Sequence, residues 1–230
     1  MLVVSNIDLG TDLPTMKPTE FLKSSVKDSV LNLTTDYRYL KTGYYVSTHA
    51  EVLGDRVVPS SESIIDVSRT PILLLKATKA GIPSAPCLTT DSVKQIMSAF
   101  DFPVIIFPVN PFSYEGFKTA KNRSALYRAV KSLSMNYKFA VCAQPLRGRV
   151  VSVKCILGKC HDEGNVAQIA EKVYEVFRIP LCRIYVQVFE DEARLCGLQP
   201  LRTEEVLPSD AAMIMEEARG ILSKGDCLVG

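Results

Sequence analysis

The sequence is short of several features that would name a function at once. It holds only two histidines, His49 and His161, and no Gly-x-Ser-x-Gly elbow. Neither Ser-His-Asp nor Cys-His catalysis is therefore supported by the sequence. There is no Gly-x-Gly-x-x-Gly and no Gly-x-x-x-x-Gly-Lys-Ser/Thr. Gly158-Lys159 stands alone after an apolar run, without the loop of backbone donors that cradles phosphate, and reads as a turn. No apolar run approaches the ~18 residues that cross a bilayer; the best are Pro71–Leu75 and Val104–Pro108. The amino end reaches Asn6 and Asp8 too soon for a signal-peptide core and lacks the Arg-rich pattern of a transit peptide. An excess of one charge is missing as well: 27 Lys and Arg against 25 Asp and Glu leave +2. That is too little for a charge-driven binder, so no nucleic-acid partner and no membrane insertion are expected.

What is present is ordinary globular protein. The 230 residues are 47% apolar and 23% charged, enough for one large domain or two small ones with a substantial core. Seven cysteines, at 87, 142, 155, 160, 182, 196 and 227, are an odd and scattered set. They read as reduced thiols, several of them buried, in an intracellular and most simply cytoplasmic chain. His161 beside Cys160, with Cys155 five residues earlier, begins a metal set that no second pair completes. Glu190-Asp191-Glu192 reads as the solvated tip of a hairpin rather than an acid/base pair. Asn32-Leu-Thr and Asn122-Arg-Ser match glycosylation sequons that carry no meaning inside a cell.

Strand-like and helix-like segments alternate. Strands are expected at Leu2–Ser5, Val30–Leu33, Arg56–Pro59, Pro103–Pro108, Phe139–Gln144, Val150–Leu157, Cys182–Phe189 and Ala193–Leu198. Helices are expected at Tyr44–Leu53, Thr70–Ala80, Val93–Phe100, Arg123–Leu133, Asn165–Phe177 and Ser209–Leu222. The run Ser60-Ser61-Glu62-Ser63, followed by Arg69-Thr70-Pro71, is the nearest thing to a boundary. The alternation predicts α/β or α+β architecture.

Longer motifs carry a resemblance. The stretch from Asn32 to Ser60 contains Tyr37-Arg-Tyr, Gly43-Tyr-Tyr-Val-Ser, Ala50-Glu, Gly54 and Pro59-Ser, with Asp66 in the place of a closing acidic residue. It resembles the amino-terminal domain fused to RimK-type ATP-grasp ligases. The remainder resembles an ATP-grasp domain of that group and of D-alanine–D-alanine ligases. Ala80-Gly-Ile-Pro-Ser-Ala-Pro, Phe102-Pro-Val-Ile-Ile-Phe-Pro-Val-Asn, Tyr114-Glu-Gly-Phe, Gln144-Pro-Leu-Arg-Gly-Arg-Val-Val-Ser-Val and Leu195-Cys-Gly-Leu-Gln-Pro-Leu carry it. The resemblance implies a small amino-terminal α/β domain over 1–68 and a truncated, degenerate ATP-grasp-like domain over 69–230.

Such ligases activate a carboxylate as an acyl phosphate, using lysines on the polyphosphate and an acidic pair with Asn on Mg²⁺. Set against that pattern, the nucleotide positions here are Thr70, Phe107, Ala143 and Gln144, and the metal positions are Tyr185, Gly197 and Gln199. The segment between Gly158 and Asn165 is also several dozen residues shorter than the family's. The resemblance thus implies an apolar former cleft at Phe107, Tyr185 and Leu198, with no catalytic residue, no cofactor and no metal. It points to a pseudoenzyme serving a protein partner or larger assembly. The alternative is an ATP- and magnesium-dependent carboxylate–amine ligase, either active by an unusual mechanism or completed by a partner chain.

Overall fold

The chain lays down its strands in three consecutive groups, and each group closes into its own sheet. The computed structural model describes residues 1–9, 13–109 and 116–224. The first group is β1 (Leu2–Ser5), β2 (Thr15–Met16), α1 (Pro18–Phe21), β3 (Val30–Leu33), α2 (Thr42–Leu53) and β4 (Val57–Val58), followed by α3 (Ser61–Val67) and α4 (Thr70–Lys79). Its strands are all parallel, in the order β2-β1-β3-β4. Both central strands are buried at every position, as parallel strands covered on two faces must be. Leu2, Val4 and Val30 pack with Phe21, Val46 and Ala50 of α1 and α2, while Val3, Leu31 and Leu33 face the rest of the molecule.

The second group is β5 (Leu88–Thr90), α5 (Val93–Ala99), β6 (Val104–Pro108), β7 (Lys118–Ala120), α6 (Arg123–Leu133) and β8 (Val141–Pro145). It forms an antiparallel sheet in the order β5-β8-β6-β7. The third is β9 (Arg149–Ile156), α7 (Asn165–Phe177), β10 (Leu181–Phe189), β11 (Glu192–Pro200) and α8 (Pro208–Lys224). Its antiparallel order is β11-β10-β9. A small parallel α/β unit ahead of two antiparallel sheets is the expected class. One cluster of buried apolar side chains runs from Val3 and Tyr37 through Leu73 and Phe107 to Ile184 and Leu195, so the three groups share a core. No helix among the described residues is long and apolar enough to cross a membrane.

The Ser60–Ser63 run is a helix start: Ser60 Oγ accepts the Ser63 N–H and opens α3, and Arg69-Thr70-Pro71 falls at the break between α3 and α4. The short β2, β5 and β7 and the four-residue α1 were also not expected, because none has the length to show a period. Gly54, at φ 84°, ends α2 as a left-handed cap.

The aromatic motif of the first group is a packing device. The Tyr37 hydroxyl donates to the Asn32 carbonyl at 2.6 Å inside a fully buried setting. A Cβ on Gly43 would stand 3.0 Å from both the Asp36 carbonyl oxygen and the Tyr37 ring, so any larger residue would push the start of α2 away from them by a few tenths of an ångström. Asn32, far from being a surface sequon, is buried and donates to Gly43 O at 2.8 Å and to Ser47 Oγ at 3.0 Å. Asn122 accepts the Ala125 N–H at 2.9 Å as the cap of α6. Asp66 is held by Arg69 at 2.9 Å and by Lys76, an ion pair tying α3 to α4.

Burial pushes the Tyr37 phenol well above its usual range, and burial pushes the Cys196 thiol up as well. Both acids are held neutral in the fold. Stability from them is fully present below the unfolded values, about 8.5 for thiol and about 10 for phenol, and is lost as pH rises beyond them. Urea unfolding should give a midpoint that is flat through neutrality and falls above about pH 9. Tyr37→Phe should lose the part of the fall that begins near pH 10; an identical slope in both proteins there would contradict this assignment.

Candidate functional site

Alternation along β6 decides what the space between the two antiparallel sheets contains. Val104 and Ile106 point to the α5–α6 side, in the cluster with Leu126, Val130 and Ala143. Ile105 and Phe107 point the other way, into the shared core. Phe107 therefore enters the cleft between the β5–β8 sheet and the β9–β11 sheet, where Tyr185 of β10 stands directly opposite Gly197 of β11.

Three rings meet there. Phe107 lies 5.9 Å from Tyr185 and 5.4 Å from Phe117, and Phe117 meets Tyr185 edge-on at 5.4 Å and 82°. Such tilted contacts are worth about 0.5–1.5 kcal/mol each beyond the area they bury. Two glycines make room for them. A Cβ on Gly197 would stand 2.6 Å from Phe107 Cε1, and one on Gly116 would stand 2.4 Å from the Tyr185 hydroxyl oxygen. Both are too close for any real side chain. The Tyr185 hydroxyl is satisfied by donating to Gln199 Oε1 at 2.7 Å. Burial raises the Tyr185 phenol above its ordinary value, so the hydroxyl stays a neutral donor.

The structure thus brings Phe107, Tyr185, Gly197 and Gln199 into one place, as the motif positions imply. Gln144 of β8 faces the same cleft, donating to the Cys196 carbonyl at 2.8 Å, with its Oε1 unpartnered and buried. Thr70 sits at the edge, its hydroxyl 3.4 Å from the Pro108 carbonyl. Ala143 does not join them: it faces the α5–α6 cluster. Leu198 is buried in the shared core. Phe117, the last residue of the Tyr114-Glu-Gly-Phe motif, is the cleft residue to which the sequence reading gave no role. Its signal was a bulky ring placed directly after Gly116 and before the short β7. Tyr114 and Glu115, expected in the loop over the phosphates, and Cys227 lie outside the described residues.

The sheets are sewn together around this cluster. Gln187 donates to the Pro145 carbonyl at 3.2 Å and accepts the Arg147 N–H at 2.8 Å. The segment before β5 bonds to β11 in both directions, Ala85 N–H to Leu195 O and Leu195 N–H to Pro83 O, each at 2.8 Å. The remaining chemistry-bearing motifs are structural. Gly158-Lys159 is a turn with φ 87° at the glycine, and Lys159 pairs with Glu171 at 2.9 Å. Glu190-Asp191 turns the β10–β11 hairpin, and the Asp191 carbonyl accepts from Asn165 at 2.8 Å. Away from the cleft, a hollow of about 830 Å³ opens where β1 and β3 end. Ser5, Asn6, Thr34, Thr35 and, from beyond β11, Thr203 line it.

Gly197→Ala is expected to destabilise the protein by about 1–3 kcal/mol through overpacking against Phe107. In a Phe107→Leu background the same change should cost clearly less, because the ring edge is gone. Urea denaturation of the four proteins checks the cycle, and strict additivity would mean that ring and glycine do not share this space.

The model for the RimK-like ATPgrasp N-terminal domain matches residues 18–217, across all three sheets. Among solved structures, a RimK domain ATP-grasp protein from Sphaerobacter thermophilus superposes with a TM-score of 0.62 at 12% identity, covering 94% of this chain and 98% of that one. The ATP-grasp ligase PsnB gives 0.58 at 14% identity, over 86% and 87% of the two chains. The D-alanine–D-alanine ligase of Coxiella burnetii gives 0.54 at 14% identity over 75% of this chain, which spans 58% of that enzyme's length. At such identities the likeness carries the fold alone. A search of curated protein sequences finds no match.

Proposed function

Because the chain belongs to the RimK-like ATPgrasp N-terminal domain family, we propose that it is an ATP-grasp-like scaffold without catalytic activity, an accessory or structural module that works through protein contacts. The observation that carries this reading is the ring of Phe107 lying where a side chain on Gly197 would have to be. A ligase of this fold needs cations on the polyphosphate and carboxylates on the metal. The cleft offers three aromatic rings, a Gln144 already bonded to Cys196 and a Gln199 already bonded to Tyr185. These residues do not fit magnesium triphosphate. An apolar, filled site gives nothing back for the water that a triphosphate must shed.

On this reading Thr70, Phe107, Ala143, Gln144, Tyr185, Gly197 and Gln199 are degenerate positions with no ligand. The segments 1–68 and 69–230 are the two parts of the scaffold, and an intracellular assembly is its setting. A second reading draws on the hollow at the carboxyl ends of β1 and β3. Open parallel sheets take ligands at the switch in strand order, which in β2-β1-β3-β4 falls between β1 and β3. A small substrate held there, with a partner chain supplying cations and metal, would make the protein part of an ATP-dependent carboxylate–amine ligase.

Melting with and without Mg-ATP separates the two. The scaffold reading expects no shift in Tm, since a ligand stabilises only by binding the folded form. A magnesium-dependent rise of several degrees would favour the ligase. Installing Phe107→Lys, Tyr185→Asp, Gly197→Glu and Gln199→Asn together should not recover nucleotide binding by calorimetry, because nothing around them orients the new groups. Phe107→Lys alone should destabilise the fold by several kcal/mol, as an unpaired buried ammonium does.

A further inference from the structure

The net charge of +2 hides a strong asymmetry. Between Leu88 and Arg149 there are nine Lys and Arg against three Asp and Glu, a local balance of +6, which leaves −4 for the rest of the chain. What sets this region apart is how closely its cations are gathered. Elsewhere Arg38, Arg69, Lys76, Lys154, Lys159, Arg183, Arg194 and Arg202 each pair with a carboxylate, and other exposed cations such as Lys27, Lys79 and Lys172 lie scattered along the chain. Lys94, Lys121, Arg123, Arg128, Lys131 and Lys138 are all exposed, and none has a carboxylate partner among the described residues. These six lie on or beside α5 and α6, the layer that covers the β5–β8 sheet on the side away from the aromatic cleft.

The same layer exposes rings and a thioether. Tyr127 is 37% exposed on α6, with the Arg123 guanidinium 5.6 Å from its ring centre, and Met135, Tyr137 and Phe139 are 38–46% exposed just beyond. The buried face of α6 is already used, by Leu126, Ala129, Val130 and Leu133, so this is a second, outward pattern. Arg, Tyr, Phe and Met together are the residues enriched at protein–protein interfaces, where a stacked guanidinium is held ready to pair. Like charges gathered without counter-charges repel one another, and a docking carboxylate surface relieves that repulsion.

We propose that the outer α5–α6 layer is a docking surface for an acidic protein partner, with Arg123, Arg128 and Lys131 reading its carboxylates and Tyr127 packing beside them. This deepens the protein-contact reading by giving the partner's chemistry, and it stands on residues the cleft does not use.

The test measures anisotropy of a fluorescein-labelled random Glu–Tyr copolymer on the full chain at rising salt. Binding is expected, weakening with salt, and tighter than binding of polyglutamate of equal length. Arg123→Glu, Arg128→Glu and Lys131→Glu together should weaken it about tenfold or more, the equivalent of 1.4 kcal/mol, with Tm unchanged. Arg123→Gln, Arg128→Gln and Lys131→Gln serve as the milder set should the reversal fail to fold. Lys27→Glu, Lys79→Glu and Lys172→Glu, the same charge change elsewhere, should leave binding as it was. Tyr127→Ala should erase the preference for Glu–Tyr over polyglutamate. Absence of binding, equal losses in the control set, or tighter binding of single-stranded RNA or phosphatidylserine vesicles at the same salt would each overturn the proposal. Because the readout involves no nucleotide, a Mg-ATP shift in Tm would bear on the scaffold reading and leave this result standing.

Discussion

Phe107 and Gly197 compete for the same few cubic ångströms, and much of the molecule follows from how that competition is resolved. A benzyl ring on β6 excludes any side chain on β11 opposite Tyr185. The resolution is mutual: the ring needs the glycine, and the glycine would leave a void without the ring. Phe117 and Gly116 repeat the arrangement against Tyr185 one layer away. Two pairings of a ring with a glycine fill the space between the sheets with core. In each, ring and glycine depend on one another, so enlarging the glycine produces a clash and shrinking the ring leaves a cavity.

Joining the sheets is the second consequence. In a clamp, the layers that flank the ligand must separate. Here their facing sides are occupied by rings, and Gln144 and Gln187 bridge the strands above and below. A buried amide in such a place is costly to free, since a separated sheet would leave its N–H groups and carbonyls without partners. The filled space between the sheets is thereby part of what holds the fold together.

Much of this was legible in the sequence, and the limits have physical causes. Long elements announced themselves: the period of Asn165–Phe177 and the apolar runs at Val104–Pro108 and Cys182–Phe189 fell within two residues of the observed ends. Elements that draw their stability from neighbours did not. β5 and β7 are three residues each and exist because β8 and β6 hold them. Ser60–Ser63 gave no helix signal of its own because serine favours both turns and caps, and only the apolar Ile64 and Val67 turning inward decides between them. At the cleft, motif positions located Phe107, Tyr185, Gly197 and Gln199. That Phe107 lies over Gly197 depends on the facing of two sheets, which no linear pattern contains, and Phe117 closed the Tyr114-Glu-Gly-Phe motif without being given a place in the cleft. The charge asymmetry was present in the letters but cancelled in the total.

The sewn sheets also set how this protein meets anything else. A hinged clamp exists in open and closed populations, and a partner that prefers one must shift the balance, losing affinity in proportion to the rarity of the form it needs. The bonds from Gln144, Gln187 and the strand-like segment at Pro83–Ala85 tie the two antiparallel sheets directly to each other. The α5–α6 layer rides on one of those sheets, so any opening between the sheets that would move it has to break those bonds first.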